Sequence, residues 1–477
     1  MPDSKSTRPQ VDRKARMKLP YVEVQARPVE ERLCDFEATF FPLTPEEARA
    51  AAERCIQCPE PSACVEACVV HNDIPRAMWL IEQGDFIGAA EIYRQTSSMP
   101  EICGLVCPHE ALCQGACVRD KRHEPVITGA LEAFVTSYQR EHAEVAIPVG
   151  KPTGKRVAIV GSGPSGLACA EQLVRKGHAV TIFEALPTAG GLLVYGIPNF
   201  KLPKPTVRTV INDLEQAGVE FVLNNRIGKD KTVDQLLEEG FDAVYLGVGS
   251  GIDAQMDVPG ADLPGVYQAT EFLVRCNVDP QILPEGMEGV PEVGERVVVI
   301  GGGDTAADCL RTALRLGANE VTCLYRRTEA EMPGGEKDRH LAREEGANFR
   351  FLTQPVRYIP GVDGRVSAVE CLQCELGEPD DSGRRRPVPI EGSNFTVPAD
   401  TVVLALGYWP DPTIGKTTPD LETHKWGLIV VDPETGATSR SGIYAGGDGV
   451  TGPDLVVTAM AAGRKSAHSI DDYLSRR

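Results

Sequence analysis

The chain has 477 residues, 42% of them apolar and 25% charged, an ordinary globular composition with room for two or three domains. Its formal net charge of −19 excludes a nucleic-acid binder, which needs a basic footprint, and otherwise only favours solubility. No run approaches the roughly 18–20 apolar residues that span a bilayer, and the polar start lacks the apolar core of a secretory signal, so a cytoplasmic protein is expected.

Residues 1–150 read as helical, with patterns such as that over 45–53 and no strand signature. Nine of the fifteen cysteines fall between Cys34 and Cys117. Without a secretory signal, and in a compartment that keeps thiols reduced, a disulfide framework is a poor account of them. Eight form two staggered quartets, Cys55-x2-Cys58-x5-Cys64-x3-Cys68 and Cys103-x3-Cys107-x5-Cys113-x3-Cys117. Short spacings on turns let thiolates converge on a cubane, so two [4Fe–4S] clusters are expected. Four thiolates also make a structural zinc site, but zinc modules usually show paired C-x2-C knuckles, and only Cys55/Cys58 has that form. In two-cluster patterns the last cysteine of one run can ligate the other cluster, so residues at the ends of the runs are exchangeable. Cys34 stands alone and reads as a packed thiol.

A β–α–β rhythm begins near 155. A strand over 156–160 leads into Gly161-Ser162-Gly163-Pro164-Ser165-Gly166, a helix to 176, and a strand over 179–183 that ends at Glu184. In this fingerprint the first glycine makes the turn, the second admits a pyrophosphate and the third lets helix and strand pack. Glu184 is placed to accept hydrogen bonds from ribose hydroxyls. A linker rich in Pro, Gly and Glu over 280–294 precedes a second unit. There a strand over 296–300 leads into Gly301-Gly302-Gly303-Asp304-Thr305-Ala306, and a strand over 321–325 ends in Arg326 and Arg327. Two guanidinium groups where the first unit has an acid suit a 2′-phosphate. The second unit should therefore hold NADPH, and the first a dinucleotide without that phosphate, such as FAD or NAD.

Beyond it, 377–386 reads as a hairpin tip and a break falls near Asp400. Residues 442–448 form a third glycine cluster ending in Gly447 and Asp448, followed by a helix over 455–469. A thiol–disulfide reductase would need a redox C-x-x-C. Cys371 and Cys374 have the spacing but lie in an alternating run, where their side chains face opposite sides of a strand. A zinc-bearing NADPH sensor is the non-enzymatic alternative, and an absorption spectrum separates all three.

Taken together, the segments 55–58, 107–117, 161–166, 190–202, 301–308, 325–333 and 445–448 resemble the small (β) subunit of NADPH-dependent glutamate synthase. Its relatives include the NADPH-binding subunit of bifurcating ferredoxin:NADP oxidoreductase and the N-terminal half of dihydropyrimidine dehydrogenase. The resemblance covers 28–475. It implies an α/β fold with two Rossmann-like, glutathione-reductase-like nucleotide domains behind an α-helical Fe–S domain. The expected division is 1–150 for the clusters, 151–288 with 403–477 for FAD, and 289–402 for NADPH. Gly161, Gly163, Ser165, Gly166, Glu184, Gly191, Leu192, Gly447 and Asp448 would contact FAD. Gly301, Gly303, Asp304, Thr305, Arg326 and Arg327 would contact NADPH.

The resemblance further implies interleaved ligands: Cys55, Cys58, Cys64 and Cys117 on one cluster, and Cys68, Cys107 and Cys113 on the other. Its fourth ligand is Glu132, where dihydropyrimidine dehydrogenase has Gln, or Cys103. The first quartet spaces its second and third cysteines one residue wider than most glutamate synthase β subunits, and 123–132 looks closer to the bifurcating relatives. The function implied is that of an electron-input subunit without an acid–base triad. Hydride from NADPH would reach FAD, and single electrons would leave through the clusters to a partner subunit. That partner is a glutamate synthase large (α) subunit making L-glutamate from L-glutamine and 2-oxoglutarate, or another electron-accepting subunit.

Overall fold

The computed structural model describes residues 8–380 and 383–476. Up to about residue 142 the chain is helical, and local chemistry sets the helix ends. Thr44 and Glu47 close a capping box at the start of Pro45–Glu53, each side chain bonded to the other's backbone N–H. Asp73 caps Ile74–Gln83, which Gly84 ends in the left-handed conformation (φ 81°), and Asp85 caps Phe86–Thr96. These helices and Thr128–His142 bury Ala48, Ala51, Met78, Ile81, Phe86 and Leu131 as one core. Phe86 meets Phe134 edge-on at 5.1 Å.

The first nucleotide sheet is parallel, in the spatial order Ile443–Ala445, Ala243–Leu246, Arg156–Val160, Ala179–Phe183, Glu220–Val222. Its central strand is buried from Val157 to Val160, as expected of a sheet covered on both faces. Helix Pro164–Lys176 packs against the C-terminal helix Val456–Leu474, a helix that runs one turn beyond its expected end.

A second parallel sheet has the order Val266–Gln268, Thr401–Leu404, Arg296–Ile300, Glu320–Leu324, Asn348–Arg350. It reaches past both expected bounds, 289 and 402. Val266–Gln268 and helix Ala269–Asn277 lie before 289, and Thr401–Leu404 runs through 402. The Pro- and Gly-rich stretch over 280–294 is thus a loop inside this unit, joining a helix to a strand. The two chain crossings between the sheets meet in a two-stranded antiparallel ribbon, with Asp253 opposite Tyr408 and Ile252 opposite Trp409. An antiparallel meander, Thr353–Pro360, Val366–Pro379 and Arg385–Pro389, with Phe395–Pro398 returning to pair with Val366–Pro379, completes the unit. The hairpin tip falls between Pro379 and Arg385, with residues 381–382 of that expectation outside the described residues. Among the described residues no helix is long and apolar enough to cross a membrane.

Candidate functional site

After Pro45–Glu53 the chain turns through Cys55-Ile56-Gln57-Cys58. Gln57 has φ 49°, and its amide donates to the Pro75 carbonyl (2.8 Å) and lies 3.7 Å from Cys55 Sγ. Cys55, Cys58 and Cys64 from the first run and Cys117 from the second line one recess of ≈ 430 Å³, partly open to solvent, with Met78 and Arg119. This is the interleaved set, brought together from both runs. Arg16 Nη1 donates to the Cys55 carbonyl (2.8 Å), and Arg13 to those of Ile56 (3.1 Å) and Gln57 (2.8 Å). Burial pushes Cys55 up to about 12 and raises Cys58 and Cys64, so thiolates here need a cation to form. Among the described residues no three His, Cys, Asp or Glu converge on a single ion; the thiols instead rim a space, as ligands of a polynuclear cluster do.

The other candidate ligands form a second, closed group. Cys68, Cys103, Cys113 and Glu132 are buried, Glu132 only 6% exposed. Glu132 stands on helix Thr128–His142, and its Oε1 accepts from Asn72 Nδ2 at 3.3 Å. Asn72 Oδ1 in turn accepts from Thr96 Oγ1 (2.5 Å). Burial, then the neighbouring Cys103, drives the Glu132 carboxyl well above the ordinary range. A solvated helix glutamate is excluded. Cys107 is raised first by its contact with Cys103, and Cys113 is pushed up to about 12 by burial while it lies 3.2 Å from Thr128 Oγ1.

Cys103 sits at the joint with the first nucleotide unit. It shares a core with Met99, Ile102, Leu167 and Met460, and Ser97 Oγ lies 4.0 Å from its sulfur and 3.4 Å from Met460 Sδ. The closed group therefore borders the first nucleotide unit, while none of the residues lining the open recess shares that core. Three neighbours escaped the sequence reading: Asn72, Thr128 and His109. The His109 ring lies against Gly129, and burial brings it down to about 4, with Nε2 lacking a hydrogen-bond partner among the described residues. Only its place two residues after Cys107 could have signalled it.

In the first fingerprint the three glycines do different work. A Cβ on Gly166 would come within 2.0 Å of the Gly161 carbonyl, so helix and strand need that absence. A Cβ on Gly163 would meet nothing within 4 Å, leaving room where a pyrophosphate would lie at the start of Pro164–Lys176. Glu184 is buried; Oε2 accepts from Ser162 N (2.9 Å) and Ser162 Oγ (2.5 Å), and Oε1 from Leu186 N (2.9 Å). These bonds fix the carboxylate, which retains lone pairs for ribose hydroxyls. Gly191 and Leu192 begin a helical turn packed on Gly163, and Ser165 Oγ bonds Tyr245 Oη. Gly447 packs on Ser165. Asp448 opens the turn Asp448–Thr451, and burial pushes it up to about 7. All nine expected FAD contacts thus gather at one end of the first sheet.

The second fingerprint repeats the arrangement, with open space beside Gly303. Asp304 Oδ1 accepts from Gly335 N (2.7 Å), Gly334 N donates to the Gly302 carbonyl (3.0 Å), and Thr305 faces Tyr408 Oη at 3.4 Å. The expected arginine pair divides. Arg326 is exposed, whereas Arg327 is buried, with Nη2 on Asp380 (2.6 Å) and Nε on the Arg385 carbonyl (2.7 Å). The strand end thus presents one solvent-facing guanidinium, and the other ties the strand to the meander. Lys201, inside the segment 190–202, reaches across to Asp338 (2.8 Å) and Asp308 (3.5 Å) of the second unit. Cys371 and Cys374 are both buried free thiols, Cys371 pushed up to about 12 by burial, which fits packing and not thiol exchange.

The model for dihydropyrimidine dehydrogenase domain II, 4Fe-4S cluster, matches residues 32–144, and that for pyridine nucleotide-disulphide oxidoreductase matches 155–463. The chain is 43% identical over 467 residues to the glutamate synthase [NADPH] small chain of Halomonas elongata, covering 94% of this chain and 96% of that protein. It is 40% identical over 460 residues to the small chain of Escherichia coli, covering 95% and 97%. Among solved structures, FprA of Mycobacterium tuberculosis in complex with NADPH aligns with a TM-score of 0.57 at 24% identity, over 68% of this chain and 85% of that one, a likeness of fold.

Proposed function

The chain belongs to the family of NADPH-dependent glutamate synthase small chains, and from that premise we propose that it is the electron-input subunit of a larger enzyme. The observation that carries this reading is the division of the cysteines: a closed Cys/Glu group borders the first nucleotide unit through Cys103 and Met460, and a separate four-cysteine recess, none of whose lining residues shares that core, opens to solvent. Bound in these places, FAD would accept the hydride of NADPH as an electron pair, and two [4Fe–4S] clusters would take its electrons singly. Gly163 and Gly303 would admit the pyrophosphates, Glu184 would hold the FAD ribose, and Arg326 would meet the 2′-phosphate of NADPH. Arg327 would position the strand that carries Arg326. Cys55, Cys58, Cys64 and Cys117 would hold one cluster. Cys68, Cys107, Cys113 and Glu132 would hold the other, with Asn72 bonded to Oε1 of the Glu132 carboxyl. Tyr195 Oη, which donates to the Ile282 carbonyl (3.0 Å), and the Lys201 ion pairs would keep the two nucleotide units in register.

The domain division we propose follows the sheets: clusters to about 150, NADPH between the two ribbon strands, and FAD on either side of them. Fifteen free thiols fit a reducing cytoplasm. The partner subunit would be a glutamate synthase large chain that makes L-glutamate from L-glutamine and 2-oxoglutarate. A second reading, the NADPH-binding subunit of a bifurcating ferredoxin:NADP oxidoreductase, rests on the segment 123–132, with the wider Cys58–Cys64 spacing as a departure from most glutamate synthase small chains. The test is reconstitution. The isolated chain should reduce a tetrazolium dye with NADPH and make no glutamate, and the large subunit of the same organism should switch glutamate synthesis on. Ferredoxin-linked NADP reduction with a different partner would favour the second reading, and glutamate made by the single chain would refute electron input as its role.

A further inference from the structure

The recess that opens to solvent lies in the most basic part of an acidic chain. Residues 8–18 and 117–123 carry eight Lys or Arg against two Asp, in a protein of net charge −19. The two segments are joined: Arg119, which lines the recess, donates from Nη1 to the Arg16 carbonyl at 2.8 Å. Arg13 and Arg16 are spent on the carbonyls of the cysteine loop, and Arg8 pairs with Asp73 (3.1 Å) and Glu60 (3.3 Å). Lys14, Lys18, Lys121 and Arg122 are different. All four are exposed, and among the described residues none forms an ion pair. Of the acids in and beside these segments, Asp12 caps the helix Arg13–Arg16, and Asp120 and Glu124 stay exposed. Two large apolar side chains stand in this rim: Val118, which lines the recess and is 39% exposed, and Tyr21, 41% exposed with Arg54 stacked on its ring at 5.0 Å.

Unpaired cations are unneeded for holding the cysteine loop, whose carbonyls are already bonded. Their charge is therefore available to something outside the chain, and the thiol-lined opening beside them says what it does. Resting on the electron-input reading, we propose that this basic rim is the docking surface for the acidic face of the protein that accepts electrons at the open recess. Val118 and Tyr21 supply its apolar centre, and Lys14, Lys18, Lys121 and Arg122 a charged border that steers encounter. Nucleic acid is a poorer occupant, because a long polyanion would run off this patch onto a surface of the opposite sign.

The test is the fourfold variant Lys14→Glu/Lys18→Glu/Lys121→Glu/Arg122→Glu, with two protein probes of opposite charge, an acidic plant-type [2Fe–2S] ferredoxin and basic cytochrome c. Affinities are measured calorimetrically on the holoprotein at ~0.01 M and ~1 M salt, where the Debye length is about 30 Å and about 3 Å. The wild type should bind the ferredoxin at low salt and the variant on the order of tenfold or more weaker, the two converging at high salt. Cytochrome c should gain affinity, and NADPH–tetrazolium turnover should be the same in both proteins, which shows the variant folded. Equal ferredoxin affinity in variant and wild type overturns the docking surface. So does a wild type that binds a short duplex DNA as tightly as ferredoxin, or one that dimerises in sedimentation through contacts the variant abolishes. A wild type without tetrazolium turnover would instead refute the electron-input reading, while the binding comparison still reports on the rim.

Discussion

Asn72 holds Glu132 in the interior of the cysteine domain, its amide nitrogen 3.3 Å from Oε1 and its own oxygen engaged by Thr96. The amide fixes one carboxylate oxygen of a carboxyl that lies close enough to Cys68, Cys107 and Cys113 to act on their charge. If Glu132 is a cluster ligand, Glu132→Ala should lower iron below eight atoms per chain and alter the low-temperature EPR of one cluster. Cys103→Ala should leave iron content intact. Asn72→Ala should shift that same EPR signal while keeping most of the iron, because it frees the ligand without removing it. Full iron and unchanged spectra in Glu132→Ala would assign the fourth position to another residue.

The divided arginine pair separates specificity from stability. Arg326→Ala should cost about 1.5–3 kcal/mol of NADPH binding, the worth of a charge-assisted hydrogen bond, with NADH little affected. Arg327→Ala breaks a largely buried ion pair with Asp380 and should cost about 3 kcal/mol of stability. Measuring kcat/KM for both nucleotides beside thermal unfolding checks both, and a thermally neutral Arg327→Ala would contradict the structural role.

Two glycines three residues apart should fail differently. Gly166→Ala meets a carbonyl at 2.0 Å and should destabilise the whole first nucleotide unit. Gly163→Ala meets no protein atom within 4 Å, so its melting without flavin should match the wild type while FAD retention falls. Flavin content and apoprotein melting, measured on both variants, distinguish them. Equal flavin retention in Gly163→Ala would place the pyrophosphate elsewhere.

Lys204 supplies a pH signature. Its ammonium donates to the Leu193 carbonyl at 2.8 Å and also bonds that of Ile197, and burial brings it down from 10.5 to about 7. Between those values the unfolded chain binds the proton that the folded chain has released, so stability rises with pH by up to about 1.4 kcal/mol per unit. Below pH 7 both states are protonated and the effect is absent. Denaturant melts from pH 7 to 10 should therefore rise more steeply in the wild type than in Lys204→Met, and parallel curves would show that the amine stays charged.

What the sequence disclosed was local. The fingerprints around Gly163 and Gly303, the strands before them and the two cysteine quartets are written in spacings of a few residues, and the fold keeps them. That Cys117, at the end of its run, could serve the other cluster was open from the two-cluster pattern, but the full set of partners came only through resemblance, because no local rule brings residues so distant to one recess. Arg327 pairs with Asp380, a partner beside the meander that periodicity does not connect to it. Composition misplaced the boundary at 289, since Pro and Gly mark a loop equally well inside a unit and between two. Lys201 met Asp308 and Asp338 for the same reason it went unassigned: its charge is balanced across a joint between units.

The ribbon of Ile252–Asp253 against Tyr408–Trp409 also bears on the order in which the molecule can assemble. Strand Ile443–Ala445 must find Ala243–Leu246, which left the ribosome before the whole inserted unit was made. As an open coil, that insertion would tax the pairing with the entropy of a long loop. Once the second sheet has formed and the ribbon has zipped, only 247–251 and 410–442 remain between the two strands, and the late strand searches through a much shorter loop. The inserted unit therefore acts as a folding template for the sheet that encloses it, and weakening the ribbon should slow renaturation of the first sheet more than it loosens the finished protein.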